Sequence, residues 1–150
     1  MIYYTTGNLL TSDVDYICHQ VNCQGKMNSG IAKSIREKWP EVYSEYLIWR
    51  DDNDLDILGQ IDIVHTKDQK HIINMGGQEF YGYDNRRYTS YDAFWNCLEE
   101  IRNSVVKGSK LGFPDHIGSC RGGANWEVIR TMIEQALGQD YEVYIYKLEE

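Results

Sequence analysis

Basic residues are scarce in this chain: 15 lysines and arginines stand against 23 aspartates and glutamates, for a net charge of −8. With a pI near 5.0, it has no general electrostatic grip on nucleic-acid phosphates, so independent nucleic-acid binding is not expected. A local basic pocket for one nucleotide remains compatible with an acidic whole. The four cysteines, Cys18, Cys23, Cys97 and Cys120, lack CxxC spacing. That argues against a zinc ribbon or a disulfide framework and points to reduced thiols in a cytoplasmic protein. No run approaches ~20 apolar residues, which excludes a helical membrane span. The opening Met-Ile-Tyr-Tyr-Thr-Thr lacks the charged region and apolar stretch of a signal peptide. Neither GxxxxGK(S/T) nor GxGxxG occurs, so neither a P-loop NTPase nor a dinucleotide-binding Rossmann domain is indicated. HxH and HExxH are missing too, and the four histidines are scattered; no metal and no cofactor is expected.

What is present is a domain of ordinary size. The 150 residues are 42% apolar, enough for a full core, and no repeat, low-complexity stretch or linker divides them. One domain over 1–150 is therefore expected. Residues 2–6 read as a first strand and 16–21 as a second, nearly continuous in apolar side chains, as a strand buried on both faces should be. A helix is expected from 31 to about 49, with apolar positions at Ile31, Ile35, Trp39, Val42, Tyr43, Tyr46 and Leu47 and a break or restart at Pro40. Short strands follow at 58–65 and 71–75. Residues 76–88 show no clean period and read as a loop. A helix over 90–106 has Thr89 or Ser90 as its cap. A strand at 110–113, a glycine-rich loop at 114–125, a helix at 126–137 and an alternating strand at 141–148 close the chain. Alternating strands and helices predict an α/β fold with helices around a largely parallel sheet.

Two loops carry the functional signal. The first, His19-Gln-Val-Asn-Cys-Gln-Gly-Lys-Met-Asn-Ser-Gly-Ile-Ala-Lys33, joins the second strand to a helix. A strand–loop–helix turn presents free backbone N–H groups and a helix N-terminus, where an anionic ligand sits well. Asn22 closes the strand with an amide that both donates and accepts. The second loop, Pro114-Asp-His-Ile-Gly-Ser-Cys-Arg-Gly-Gly-Ala-Asn-Trp126, has Gly118, Gly122 and Gly123, which let backbone amides approach a ligand closely. Two such loops at the carboxyl ends of strands suggest a diphosphate held from two sides.

These residues resemble the macrodomains, a family that binds ADP-ribose. The most specific stretches are His19-Gln-Val-Asn-Cys, Met27-Asn-Ser-Gly-Ile-Ala32, Arg87-Tyr-Thr-Ser-Tyr-Asp92 and Ile117-Gly-Ser followed by Gly122-Gly-Ala-Asn-Trp-Glu127. The likeness runs from Tyr4-Thr-Thr-Gly-Asn-Leu to Val143-Tyr-Ile-Tyr-Lys-Leu148. It is closest to the compact branch that includes ADP-ribose-1″-phosphate phosphatases and terminal ADP-ribose-protein glycohydrolases. The resemblance implies a three-layer α/β/α domain with a mixed, largely parallel sheet. The partner it implies is ADP-ribose, its 1″-phosphate or an ADP-ribosylated macromolecule, taken by a monomer without a membrane.

It also implies site residues. Asn8, beside Leu9, takes the place of a residue that contacts the adenine amine, or is simply a turn residue after Gly7. Gln20 leads into Asn22, which holds the distal ribose with Cys23, Gln24, Gly25, Lys26, Met27, Ser29 and Gly30; Ile31 and Ala32 open the helix. Ser119, Cys120, Arg121, Gly122, Gly123 and Ala124 wrap the diphosphate, with Arg121 neutralising phosphate charge or pairing with a surface acid. Cys120 is a packing residue or a nucleophile. Tyr146 stacks on adenine or fills the core.

His19 matches a histidine used by the phosphatase members and is the expected acid/base, with Asn22 positioning the ribose. The alternative is a buried histidine bonded to backbone. His116, three residues before Ser119, is the second candidate. Arg86 and Arg87 are candidates for a terminal phosphate. The lysine of the glycohydrolase members aligns with Met75 and their aspartate with Gly122, which disfavours a lysine-dependent route. The expected activity is removal of phosphate from ADP-ribose-1″-phosphate. The alternatives are lysine-independent hydrolysis of an ADP-ribosyl linkage and non-catalytic binding. Gly122→Glu is expected to abolish ADP-ribose binding and leave the fold intact.

Overall fold

The computed structural model of the chain describes residues 1–82, 86–119 and 122–148. Strand β1 (Ile2–Thr6) passes through a 3-10 turn at Leu9–Thr11 into β2 (Tyr16–Val21). Helices α1 (Gly30–Lys38) and α2 (Pro40–Asp52) follow, then β3 (Ile61–His65) and β4 (His71–Gly76). Helix α3 (Tyr91–Ser104), β5 (Lys110–Pro114), α4 (Trp126–Leu137) and β6 (Glu142–Lys147) complete the order. The sheet runs β1-β6-β5-β2-β4-β3. Every neighbouring pair is parallel except β3 and β4, which form an antiparallel hairpin. The architecture is the expected α/β/α fold with a mixed, mostly parallel sheet.

Alternation along β2 sends side chains to both faces. Ile17 and Val21 pack with Ile35, Trp39, Val42 and Tyr46 of α1 and α2. Cys18 faces the opposite way, into a cluster with Phe94, Leu98 and Ile101 of α3 and Ile129 and Ile133 of α4. Ile17, Ile72, Phe94 and Phe113 are fully buried, each contributing roughly 1.5–3 kcal/mol before entropy is counted. Cys18, Cys23 and Cys97 are buried free thiols. Burial pushes the Cys97 thiol up to about 12, so it packs as a small apolar group.

Pro40 divides the predicted 31–49 helix. Trp39 ends α1 by donating its N–H to the Ile35 carbonyl at 2.8 Å, and Pro40 opens α2 at its first position, where a missing N–H costs nothing. The strand expected from 58 begins only at Ile61, because Gln60 N–H turns back to the Ile57 carbonyl at 3.0 Å. Ser90 caps α3, its hydroxyl accepting from Ala93 N–H, as one of the two expected caps. No helix among the described residues is long and apolar enough to cross a membrane.

The topology sets where a ligand fits. From β2 the chain moves through α1 and α2 toward β4 and β3; from β5 it moves through α4 to β6, on the other side. Between β2 and β5 the connections therefore diverge, and a crevice opens beyond the strands' carboxyl ends. The β2–β5 ladder holds only Tyr16↔Leu111 and Ile17↔Gly112. Meanwhile β2 stays paired with β4 to Val21↔Gly76, and β5 with β6 to Pro114↔Tyr146.

Candidate functional site

A cleft of about 320 Å³ occupies this crevice. Gln20, Val21 and Asn22 form one wall and Pro114, Asp115, His116, Ile117 and Gly118 the other. Ser29, Gly30, Ile31 and Ala32 bring the start of α1 to the same cavity. The two helices that follow the loops differ at their N-termini. Asn125 caps α4, its side chain accepting from Glu127 N–H and Val128 N–H. Ser29, the residue before α1, makes no side-chain cap bond. The first-turn N–H groups of α1 thus lack a side-chain cap where the helix meets the cleft, which favours an anion there. Lys26 adds a cation to the lining.

The first loop is held from α2. The Tyr46 hydroxyl lies 2.5 Å from the Asn22 carbonyl and 3.0 Å from Asn22 Oδ1, and accepts from Gly25 N–H at 3.1 Å. Tyr43 donates to the Gly25 carbonyl at 2.9 Å, and Arg50 Nε to the Cys23 carbonyl at 2.8 Å. Burial pushes the Tyr46 hydroxyl pKa up, so it remains a donor. Asn22 Oδ1 accepts from Gln24 N–H at 2.9 Å and Lys26 N–H at 3.4 Å, while Nδ2 donates to the Lys26 carbonyl at 3.1 Å. Asn22 is 8% exposed: it lines the cleft and staples its own loop. The sequence pointed to Tyr43 and Tyr46 only as helix-face residues and did not single out Arg50. Their spacing, with polar tips on an apolar stripe, was the available signal.

The second loop is tied to the segment before α3. Tyr88 N–H and Thr89 N–H both donate to the Gly122 carbonyl, at 2.7 and 2.9 Å. Thr89 Oγ1 donates to the Gly118 carbonyl at 2.7 Å and receives Gln20 Nε2 at 2.8 Å. A Cβ at Gly122 would lie 2.2 Å from Thr89 Oγ1 and 2.4 Å from the Gly118 carbonyl. Gly122→Glu would therefore shift this loop before any charge effect, so loss of binding in that variant would not isolate repulsion of a diphosphate.

Of the expected site residues, Gln20, Asn22, Lys26, Ser29, Gly30, Ile31, Ala32 and Gly122 share the cleft. Others lie apart. Met27 and Cys23 are buried in the α1/α2 core, as is Leu9. Gly25 is buried, and Gln24 reaches Tyr81 N–H through Oε1 at 2.9 Å. Asn8 makes the turn, its Oδ1 accepting from Leu10 N–H at 2.9 Å. Ser119 bonds the His116 carbonyl; Ala124 N–H donates to the Gly118 carbonyl; Gly123 takes φ +72° at the turn between them and α4. Tyr146 is half-buried against the α1/α2 cluster. Cys120 and Arg121 lie outside the described residues. Arg86 and Arg87 rest on tyrosines, 5.5 Å from the Tyr88 ring and 4.6 Å from that of Tyr91.

His19 is fully buried, and its Nε2 lies 2.6 Å from Asn74 Oδ1. Burial lowers its pKa to about 4, with the Asn74 bond opposing the shift. It is absent from the cleft lining, so its position gives the expected acid/base no access to a ligand there. Met75 is buried in the α3/α4 core. Beyond β4 it is Gln78 that reaches the cleft, and glutamine is no nucleophile either. Missed by the sequence reading are Gln78, Tyr81 and Asp115, which line the cavity but sit in stretches without periodicity.

No family model matches the sequence. A DNA ADP-ribosyl glycohydrolase of Mycobacterium tuberculosis is 25% identical over 150 residues, covering 97% of this chain. The chain spans 42% of the length of that relative. The macrodomain of M. tuberculosis DarG superposes with a TM-score of 0.80 at 26% identity, covering 97% of both chains. Thermosipho africanus DarTG, solved in complex with ADP-ribose, superposes at 0.76 with 18% identity, over 94% of this chain and 40% of the other. With macrodomains as structural neighbours over nearly its whole length, the chain has the macrodomain fold.

Proposed function

We propose that the cleft binds ADP-ribose and that the chain hydrolyses an ADP-ribosyl linkage to nucleic acid. The observation that carries the binding half is the N-terminus of α1, without a side-chain cap, opening into the crevice between β2 and β5. A diphosphate placed there accepts the first-turn N–H groups and meets the positive end of the helix. Asn22, Lys26 and the loop they belong to enclose the distal ribose, and the second loop closes over the phosphates from the opposite wall. The ADP-ribose complex of the T. africanus relative supports this ligand. The name of the M. tuberculosis relative, a DNA ADP-ribosyl glycohydrolase, supports hydrolysis from DNA over removal of a terminal phosphate. The phosphatase reading leaned on His19, whose burial takes away that support. Gln78, two residues beyond β4, lines the cleft near the place of the glycohydrolase members' lysine, which supports a route that does not use a lysine at that position.

The test combines calorimetric titration with ADP-ribose and incubation with an ADP-ribosylated single-stranded oligonucleotide, beside ADP-ribose-1″-phosphate. Binding with release of ADP-ribose from the oligonucleotide is the expected result. Phosphate release alone would restore the phosphatase reading, binding without either would make the chain a reader, and no binding would sink the ligand assignment.

A further inference from the structure

We propose that His116, oriented by Asp115, is the general base of this cleft; the assignment rests on the hydrolase reading above. His116 is alone among the four histidines in lining the cavity. His65 and His71 pair with each other at the opposite ends of the strands, and His19 is buried. The β2–β5 ladder ends at Ile17↔Gly112 and β5 ends at Pro114, so His116 follows two residues after the strand, in the turn that lines the cleft. It thus stands on the wall facing Asn22.

Two contacts orient the imidazole, and its backbone is fixed as well. Its Nδ1 lies 2.9 Å from Asp115 Oδ2. A carboxylate only accepts, so Nδ1 carries the proton and the Nε2 lone pair is left available. The ring stacks on Trp126 at 5.0 Å with a 21° interplanar angle, and the side chain remains 55% exposed. The backbone sits at φ +61°, a left-handed conformation uncommon for non-glycine residues and concentrated at functional sites. Ser119 holds it there, N–H and hydroxyl both donating to the His116 carbonyl at 2.9 Å.

In the step, Nε2 takes a proton from a water molecule as the water oxygen bonds to C1″ of the terminal ribose. The bond from C1″ to the DNA atom breaks, its electron pair stays on that atom and takes a proton from solvent, and His116 releases its proton to solvent to regenerate the base. Water is the sole co-reactant, and the products are ADP-ribose and unmodified DNA. Asp115 acts through His116 and is a positioning residue.

The decisive variant is His116→Asn, because asparagine tolerates positive φ but accepts no proton at neutral pH. Affinity for ADP-ribose is measured by calorimetry, and ADP-ribose release from a saturating ADP-ribosylated single-stranded oligonucleotide is followed from pH 5.5 to 8.5. His116→Asn should bind ADP-ribose within about threefold of the parent while its maximal rate drops about 100-fold or more. The parent's rise in rate with pH should flatten. Asp115→Asn should retain a partial rate, about tenfold down, with affinity unchanged. A His116→Asn rate within about threefold of the parent, or lost affinity at an unchanged maximal rate, overturns the assignment alone. A parent protein that binds ADP-ribose yet releases none overturns the hydrolase reading and this assignment together.

Discussion

His19 and His116 show how the same side chain takes opposite roles by location. On β2, His19 is enclosed beside Asn74 and held neutral; after β5, His116 stands at an open wall with a carboxylate behind it. The buried histidine has a consequence for stability. Its pKa falls from 6.5 in the unfolded chain to about 4 in the fold, so below pH 6.5 the unfolded chain binds a proton that the folded one refuses. Stability is complete above that pH and falls as pH drops toward 4, by on the order of 3 kcal/mol for this group. Urea midpoints at pH 7.5 and 4.5 should therefore differ less in His19→Leu than in the parent. Equal acid sensitivity of the two proteins would show that His19 is not held neutral. Which of the histidines would reach a ligand was not readable from spacing, because β2 is apolar on both sides and exposure depends on where neighbouring strands part.

At the scale of elements, α2 is the scaffold of the first loop, and α1 brings an N-terminus without a side-chain cap to the cleft. Tyr46→Phe removes one hydroxyl and leaves the Asn22 carbonyl and Gly25 N–H without it. The expected cost is about 1–3 kcal/mol of stability, from buried groups left unsatisfied, together with weaker ADP-ribose binding. Thermal unfolding and calorimetry on the same sample check both; unchanged affinity would separate α2 from the site. Ala32 lies in the first turn of α1 and lines the cleft. A glutamate there suits the helix end by about 0.3–1 kcal/mol, yet opposes a diphosphate at close range. Ala32→Glu should hold its melting temperature and lose ADP-ribose affinity by at least about tenfold. Retained affinity would move the phosphates away from α1. Pro40 announced the boundary between these helices in the sequence. The hydroxyl and guanidinium bonds from α2 to the loop were not announced, since they join residues 18 to 27 positions apart.

For the whole molecule, acidity and the cleft act together. With a net charge of −8, the surface repels phosphate backbones, so on the proposed function recognition of a modified strand would rest on its ADP-ribosyl group. Unmodified single-stranded oligonucleotides are expected to show no saturable binding at physiological salt by fluorescence anisotropy. The ADP-ribosylated strand should bind with weak salt dependence; a steep slope would reveal a basic track along the surface.

Composition and local pattern were sufficient for the α/β class, for most element boundaries and for the two loops, since those follow from periodicity, glycine placement and caps within a few residues. The tertiary structure decided which loop side chains share a cavity. The β2–β5 ladder stops after Ile17↔Gly112, and only that parting of strands far apart in sequence brings Asn22, the start of α1 and the Asp115–His116 pair around one cleft while leaving His19 in the core.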